Sequence, residues 1–152
     1  MGRTISQTEA GIEFPILGRG NAILLGLAVL FWLAGFDVIY ALQDHEFDQK
    51  QGLHSIPVRF GIAGALRLSS WFHVATVLLL ALVGLFAQTG FLYWLGFAAV
   101  AVVLYWEHRL VAPDDLSRIN RAFFDYNAYV SMGYFVATFA DLLLRHGYGW
   151  TL

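Results

Sequence analysis

An all-helical, polytopic membrane bundle with four transmembrane helices is the fold that the sequence predicts, and three observations predict it. The chain is 59% hydrophobic and only 13% charged, with a mean hydropathy of +0.62, far from the balance of a water-soluble domain. Four apolar stretches, roughly Asn21–Tyr40, Leu66–Ala87, Phe91–Tyr105 and Ala122–Leu144, each approach the ~20 residues that cross hydrocarbon as a helix. The alternating ~10-residue segments of a membrane β-barrel are not visible.

Residues 1–20 include Glu9, Glu13 and Pro15 and lack the continuous apolar core of a signal peptide. They read as a loop or frayed interfacial segment, 21–144 as the helical domain and 145–152 as a tail. The first apolar stretch runs out in acids, Asp37, Asp44 and Asp48, and a linker over Leu42–Ala65 carries Lys50 and Arg59. The third stretch runs on to His108, and Glu107, His108 and Arg109 after Tyr105-Trp106 read as interfacial anchors. His73, with Ser69 and Thr76 a turn to each side, reads as a packing group facing the bundle. In the fourth stretch Asn120, Asn127, Ser131, Tyr134, Thr138 and Asp141 fall on one helical face, which reads as an inward packing stripe. Asn127 is also a candidate contact to a substrate. Asp125 lies off that stripe, placed to pair with Arg121.

Absence of cysteine excludes disulfides and thiolate chemistry, and nothing in a net charge of −2 points to nucleic acid. Lys50, Arg59, Arg67, Arg109, Arg118 and Arg121 flank one set of connections, against Arg3, Arg19 and Arg145 on the other side. By the positive-inside rule the acidic linker and the Pro113-Asp114-Asp115 loop are cytoplasmic in a plasma-membrane protein.

The acids carry the functional expectation. On a helix turning about 100° per residue, Asp44 lies about 20° from Asp37 and Asp48 about 40° from Asp44, on one face. An acid inside an apolar run, as Asp37 is, is costly and marks an ion or substrate site. Mg²⁺ binds one or two carboxylates together with phosphate oxygens and water, so the pattern predicts a metal-diphosphate site. Asp44 and Asp48 are the candidate metal ligands, with Lys50, His54 and Arg59 as candidate donors to phosphate. The alternative is a plain acidic helix end paired with nearby cations, the reading that suits Glu46.

The order Asp37-x-x-Tyr40-Ala41-x-x-Asp44-x-x-x-Asp48, followed by Gly52-Leu53-His54-Ser55-Ile56-Pro57 and Phe60-Gly61, resembles the second aspartate-rich motif of the UbiA superfamily of membrane prenyltransferases. Within it the chain looks most like the 4-hydroxybenzoate polyprenyltransferase-like branch associated with menaquinone biosynthesis by the futalosine route. Ubiquinone enzymes of the family usually have lysine where this chain has His54. The resemblance covers about Ile23 to Leu144 and corresponds to the last four helices of an about nine-helix fold. It implies transfer of a polyprenyl group from its diphosphate to an aromatic quinone precursor, with Mg²⁺ on Asp44 and Asp48. It also implies that Asp37 and Tyr40 line the diphosphate or the allylic cation, which the Tyr40 ring can stabilise.

Nothing in the chain resembles the family's first motif. The expectation is therefore an inactive or nearly inactive chain, or one half of a split enzyme whose partner chain carries that motif. A non-enzymatic four-helix membrane protein that binds a lipid or a partner subunit is the competing reading.

Overall fold

The computed structural model describes residues 18–146, and these form helices and short connections without a strand. Helix α1 spans Arg19–Tyr40, a 3₁₀ turn covers Ala41–Asp44, and α2 spans His45–Gln51. Helices α3 (Ile56–Phe86) and α4 (Phe91–Leu110) follow. A single turn α5 (Ile119–Arg121), a π-helical segment Ala122–Tyr126 and helix α6 (Asn127–His146) complete the described chain. The expectation for residues 1–20 falls mostly outside the described residues, as does most of the 145–152 tail.

Helices α1, α3 and α4 are long and apolar enough to cross a membrane. Helix α6 falls short of that measure, although its 20 residues match a span in length. The cause is its polar stripe, of which Asp141 and Tyr134 bond to α4. Asp141, 4% exposed, accepts the backbone N–H of Gly90 at 2.8 Å and that of Tyr93 at 3.4 Å. Tyr134 donates to the Tyr93 hydroxyl at 3.3 Å, which donates to the Leu80 carbonyl at 2.6 Å. Polar side chains thus join α3, α4 and α6 through the bundle interior, as is usual where lipid offers no hydrogen bonds. Outward, Trp71, Leu78, Phe91 and Met132 are among many large apolar side chains left exposed, the surface expected where the solvent is lipid.

Packing pairs α1 with α3 and α4 with α6. Gly96 lets α4 approach Ala137 of α6, and Gly84 leaves room for the rings of Tyr93 and Trp94. Phe36, Leu80, Val100 and Val130 fill the centre, and Ile39, Leu42, Ala65 and Ile119 form a second cluster beneath the acidic helix end.

The linker is more ordered than the sequence suggests. The linker over Leu42–Ala65 holds the 3₁₀ turn, α2 and the start of α3, so the open connection is the short run 52–55. Helix α3 begins at Ile56 with Pro57 in its first turn and breaks at Gly61, whose φ of 70° and ψ of 167° are open only to glycine. Residues 56–60, including Arg59, are therefore set off from the main axis of α3.

Candidate functional site

Two local features place the acids. The first is the 3₁₀ turn at Ala41–Asp44, which rotates about 120° per residue rather than 100°. It swings Asp44 away from the phase that an unbroken α-helix would give, so Asp37 and Asp44 are less nearly aligned than their spacing predicts. Asp44 itself sits at φ −94°, ψ 4°, in the sparsely populated bridge region where many active-site residues lie. The second is the end of α2. Gly52 is left-handed at φ 67°, its N–H bonds the Gln49 carbonyl, and the Leu53 N–H bonds the Asp48 carbonyl at 2.9 Å. That double closure is a Schellman motif, and it fixes the backbone of Asp48.

Asp37 and Asp44 are exposed and Asp48 is half-buried. Asp44 stands at the start of α2 without capping it through its side chain. Among the described residues, the side chains of Asp37, Asp44 and Asp48 make no hydrogen bond or ion pair. Their oxygens are available, and the donor set of hard carboxylates suits a hydrated Mg²⁺. They do not converge to the spacing of a single dry ion. Among the described residues, the group of three His, Asp or Glu side chains whose ligand atoms lie within 4.8 Å of one another is elsewhere, at His73, Glu107 and His108.

The basic candidates divide. His54 and Arg59 line one hollow of about 420 Å³ with Gly52, Leu53 and Val58, the His54 ring held by its Nδ1 contact of 3.2 Å to the Gly52 carbonyl. Arg59 also stands 5.6 Å over the Phe60 ring. Lys50 instead faces Glu46 at 3.9 Å on open surface, the pairing expected for Glu46.

Tyr40 packs its ring 4.4 Å from Phe123 and 6.2 Å from Phe124, and Phe123 meets Phe36 edge-on at 6.3 Å. Phe123 and Phe124 sit in the π-helical segment, a local widening often found at functional sites. Gln43 donates to the Asn120 side chain at 3.0 Å, tying the acidic turn to the start of that segment. Tyr40 thus has an aromatic wall, while Asn127 is half-buried one residue beyond it. Asp125 pairs with Arg121 at 4.0 Å, as its position off the stripe suggests.

Glu107 departs most from the sequence reading. Instead of anchoring an interface it is fully buried, 0% exposed, against His73. Its signal lay in spacing, since Gly96, Val100, Leu104 and Glu107 repeat at helical intervals on the buried face of α4.

An all-helical membrane protein with available carboxylates and a neighbouring aromatic wall at one helix end is the class that this architecture defines. The UbiA prenyltransferase family matches residues 5–132, and the chain belongs to that family. A 4-hydroxybenzoate octaprenyltransferase of Pseudomonas aeruginosa is 36% identical over 125 residues, 82% of this chain and 42% of the relative. Relatives of the same name from Chromohalobacter salexigens and Methylococcus capsulatus are 37% and 33% identical, over 68% and 76% of this chain and 34% and 39% of their own lengths. The chain therefore spans about two fifths of the length of the curated relatives it matches. No solved structure matches it significantly.

Proposed function

We propose that these residues form the second-motif side of a Mg²⁺-dependent membrane prenyltransferase, one that moves a polyprenyl group from its diphosphate to an aromatic acid of the 4-hydroxybenzoate class. The observation that carries the reading is the set of Asp37, Asp44 and Asp48, unpaired among the described residues, at the end of a membrane helix in a chain of this family. Uncompensated acids there are costly and mark a site for a cation.

Asp44 and Asp48 would hold the ion, which when bound offsets the charge of the departing diphosphate. Arg59 and His54 face the shared hollow and donate to phosphate oxygens. Tyr40, backed by Phe123, offers its ring face to developing positive charge on the allylic carbon. Asp37, deeper in the apolar stretch, adds a negative charge behind that carbon. Substrate enters from the bilayer, and the acidic end faces the cytoplasm across a plasma membrane, as the arginine distribution supports.

The acids lie on an open face. We propose that a first aspartate-rich motif, which these 152 residues do not contain, closes over them, supplied by further sequence or by a separate chain. Purified in detergent, the 152-residue chain should bind a non-hydrolysable polyprenyl diphosphate analogue only when Mg²⁺ is present, and Asp44→Ala or Asp48→Ala should weaken binding at least tenfold. It should give no prenylated product by itself. Equal binding by wild type and both variants would leave a lipid- or partner-binding protein as the better reading.

A further inference from the structure

A second constellation lies inside the bundle where α1, α3 and α4 meet, and it does not depend on the prenyl-transfer reading. His73 is 3% exposed and Glu107 0%. His73 Nδ1 stands 2.9 Å from His108 Nε2 and 3.3 Å from Glu107 Oε2. Which atoms carry hydrogen follows from the outer partners. The Trp32 carbonyl only accepts, so His73 Nε2, 3.2 Å away, is the protonated nitrogen of that ring. The Ser70 hydroxyl gives its one hydrogen to the Leu66 carbonyl at 2.9 Å, so it accepts from His108 Nδ1 at 3.3 Å.

Both neutral rings therefore turn lone pairs toward each other, and the His73 one lies 3.3 Å from a carboxylate oxygen. Among the described residues neither oxygen of Glu107 has a hydrogen-bond partner, the 3.3 Å approach to His73 lacking the alignment. With Glu107 ionised, three acceptors converge and no donor stands among them in the described residues. A proton shared between the imidazoles satisfies the 2.9 Å contact and gives Glu107 an opposite charge at 3.3 Å, but leaves both carboxylate oxygens without an aligned hydrogen bond. A metal ion satisfies all three at once.

We propose that His73, Glu107 and His108 bind a divalent transition metal, Zn²⁺ by ligand type, which pins α3 to α4 beside α1. Imidazole and carboxylate suit Zn²⁺, whereas Mg²⁺ takes oxygen ligands. Four-coordinate Zn²⁺ with bonds of ~2.0–2.2 Å places its ligand atoms about 3.3 Å apart, close to the 2.9 and 3.3 Å that separate His73 Nδ1 from the other two, and all three lie within 4.8 Å of one another. Outer nitrogens bonded to a backbone carbonyl and a hydroxyl are the arrangement that orients metal-bound histidines. Gly35 supports the site, because a Cβ there would overlap the His73 ring. A hollow of about 330 Å³ bordered by Arg67, Ser70, His108 and Pro113 offers a path from the aqueous side. An apolar groove of about 380 Å³ between α3 and α4 also reaches Ser70, His73 and His108, leaving space for a fourth ligand.

The test titrates chelator-stripped protein in detergent with Zn²⁺ or Co²⁺ under excess Mg²⁺, with helicity followed by circular dichroism. One Zn²⁺ per chain should survive desalting, and Co²⁺ should show the visible bands of a four-coordinate ion, bleached by Zn²⁺. Glu107→Gln and His108→Gln should lose at least tenfold in affinity, and Ser70→Ala, which removes only an outer partner, about 10–100-fold. His45→Gln should bind as wild type does. Helical wild-type protein that takes up no Zn²⁺, or binds it equally in the Glu107 and His108 variants, overturns the proposal. If those variants fail to fold, unchanged affinity in Ser70→Ala overturns it.

Discussion

The carboxylate of Asp141 on α6 accepts the backbone N–H of Gly90, at the start of α4, across 2.8 Å. An exposed acid would simply end a helix, but this one is buried and reaches Tyr93 N–H as well. Together these bonds hold the first turn of α4 against α6. Asp141→Ala should leave two backbone donors without their partner and destabilise the bundle by about 1.5–3 kcal/mol, read as a lowered midpoint in denaturant titration of the detergent-solubilised protein.

Gly35 and His73 share one volume, since any Cβ at position 35 would collide with the imidazole ring. Gly35→Ala should cost about 1–3 kcal/mol through overpacking. His73→Ala in the same chain should relieve much of that cost. A double-mutant cycle measured by thermal unfolding checks the coupling, and additive effects would show that the two positions do not compete for space.

Asp115 accepts both the N–H and the hydroxyl of Ser117, at 3.0 and 2.6 Å. These bonds hold its carboxyl below the usual carboxylate range, with Arg118 adding a smaller effect in the same direction. A depressed folded-state value means that the turn gains stability above the unfolded value of about 3.9 and loses it as pH falls through the folded one. Amide exchange at Ser117 should therefore remain protected at neutral pH, after correction for intrinsic rates, and lose protection only in strong acid. Ser117→Ala should move that loss to higher pH.

Arg59 and His54 share a hollow that Lys50 does not line. Arg59→Ala should weaken diphosphate-analogue binding about tenfold, the scale of one charge-assisted hydrogen bond, whereas Lys50→Ala should change it less than threefold. Isothermal titration at fixed Mg²⁺ separates the two.

The four long helices and most of their ends were legible because apolar length is a direct signal, although α3 begins at Ile56, ten residues before its apolar stretch. Phe91 opens α4 where the third stretch begins, and Tyr40 closes α1 where the first one ends. The linker was less legible: helix α2 is short and polar, and what shapes it is a turn at Gly52 and a break at Gly61. The acids were found by type and spacing, but their relative phase was not, since a 3₁₀ turn leaves no periodic trace in four residues. The cluster at His73 stayed hidden because its partners lie on another helix, 34 and 35 positions away. Charge beside Tyr105-Trp106 also looks like an interface until the helical spacing of Glu107 from Leu104 and Val100 is weighed.

The most direct measurement of the central claim is phosphorus NMR of a polyprenyl diphosphate analogue bound to the detergent-solubilised chain, with Mn²⁺ in place of Mg²⁺. Paramagnetic broadening reports an ion beside phosphorus. If Asp44 and Asp48 hold that ion, broadening should be strong in wild type and fall to the level of free analogue in the Asp44→Ala, Asp48→Ala double variant. Equal broadening in both proteins would contradict the assignment.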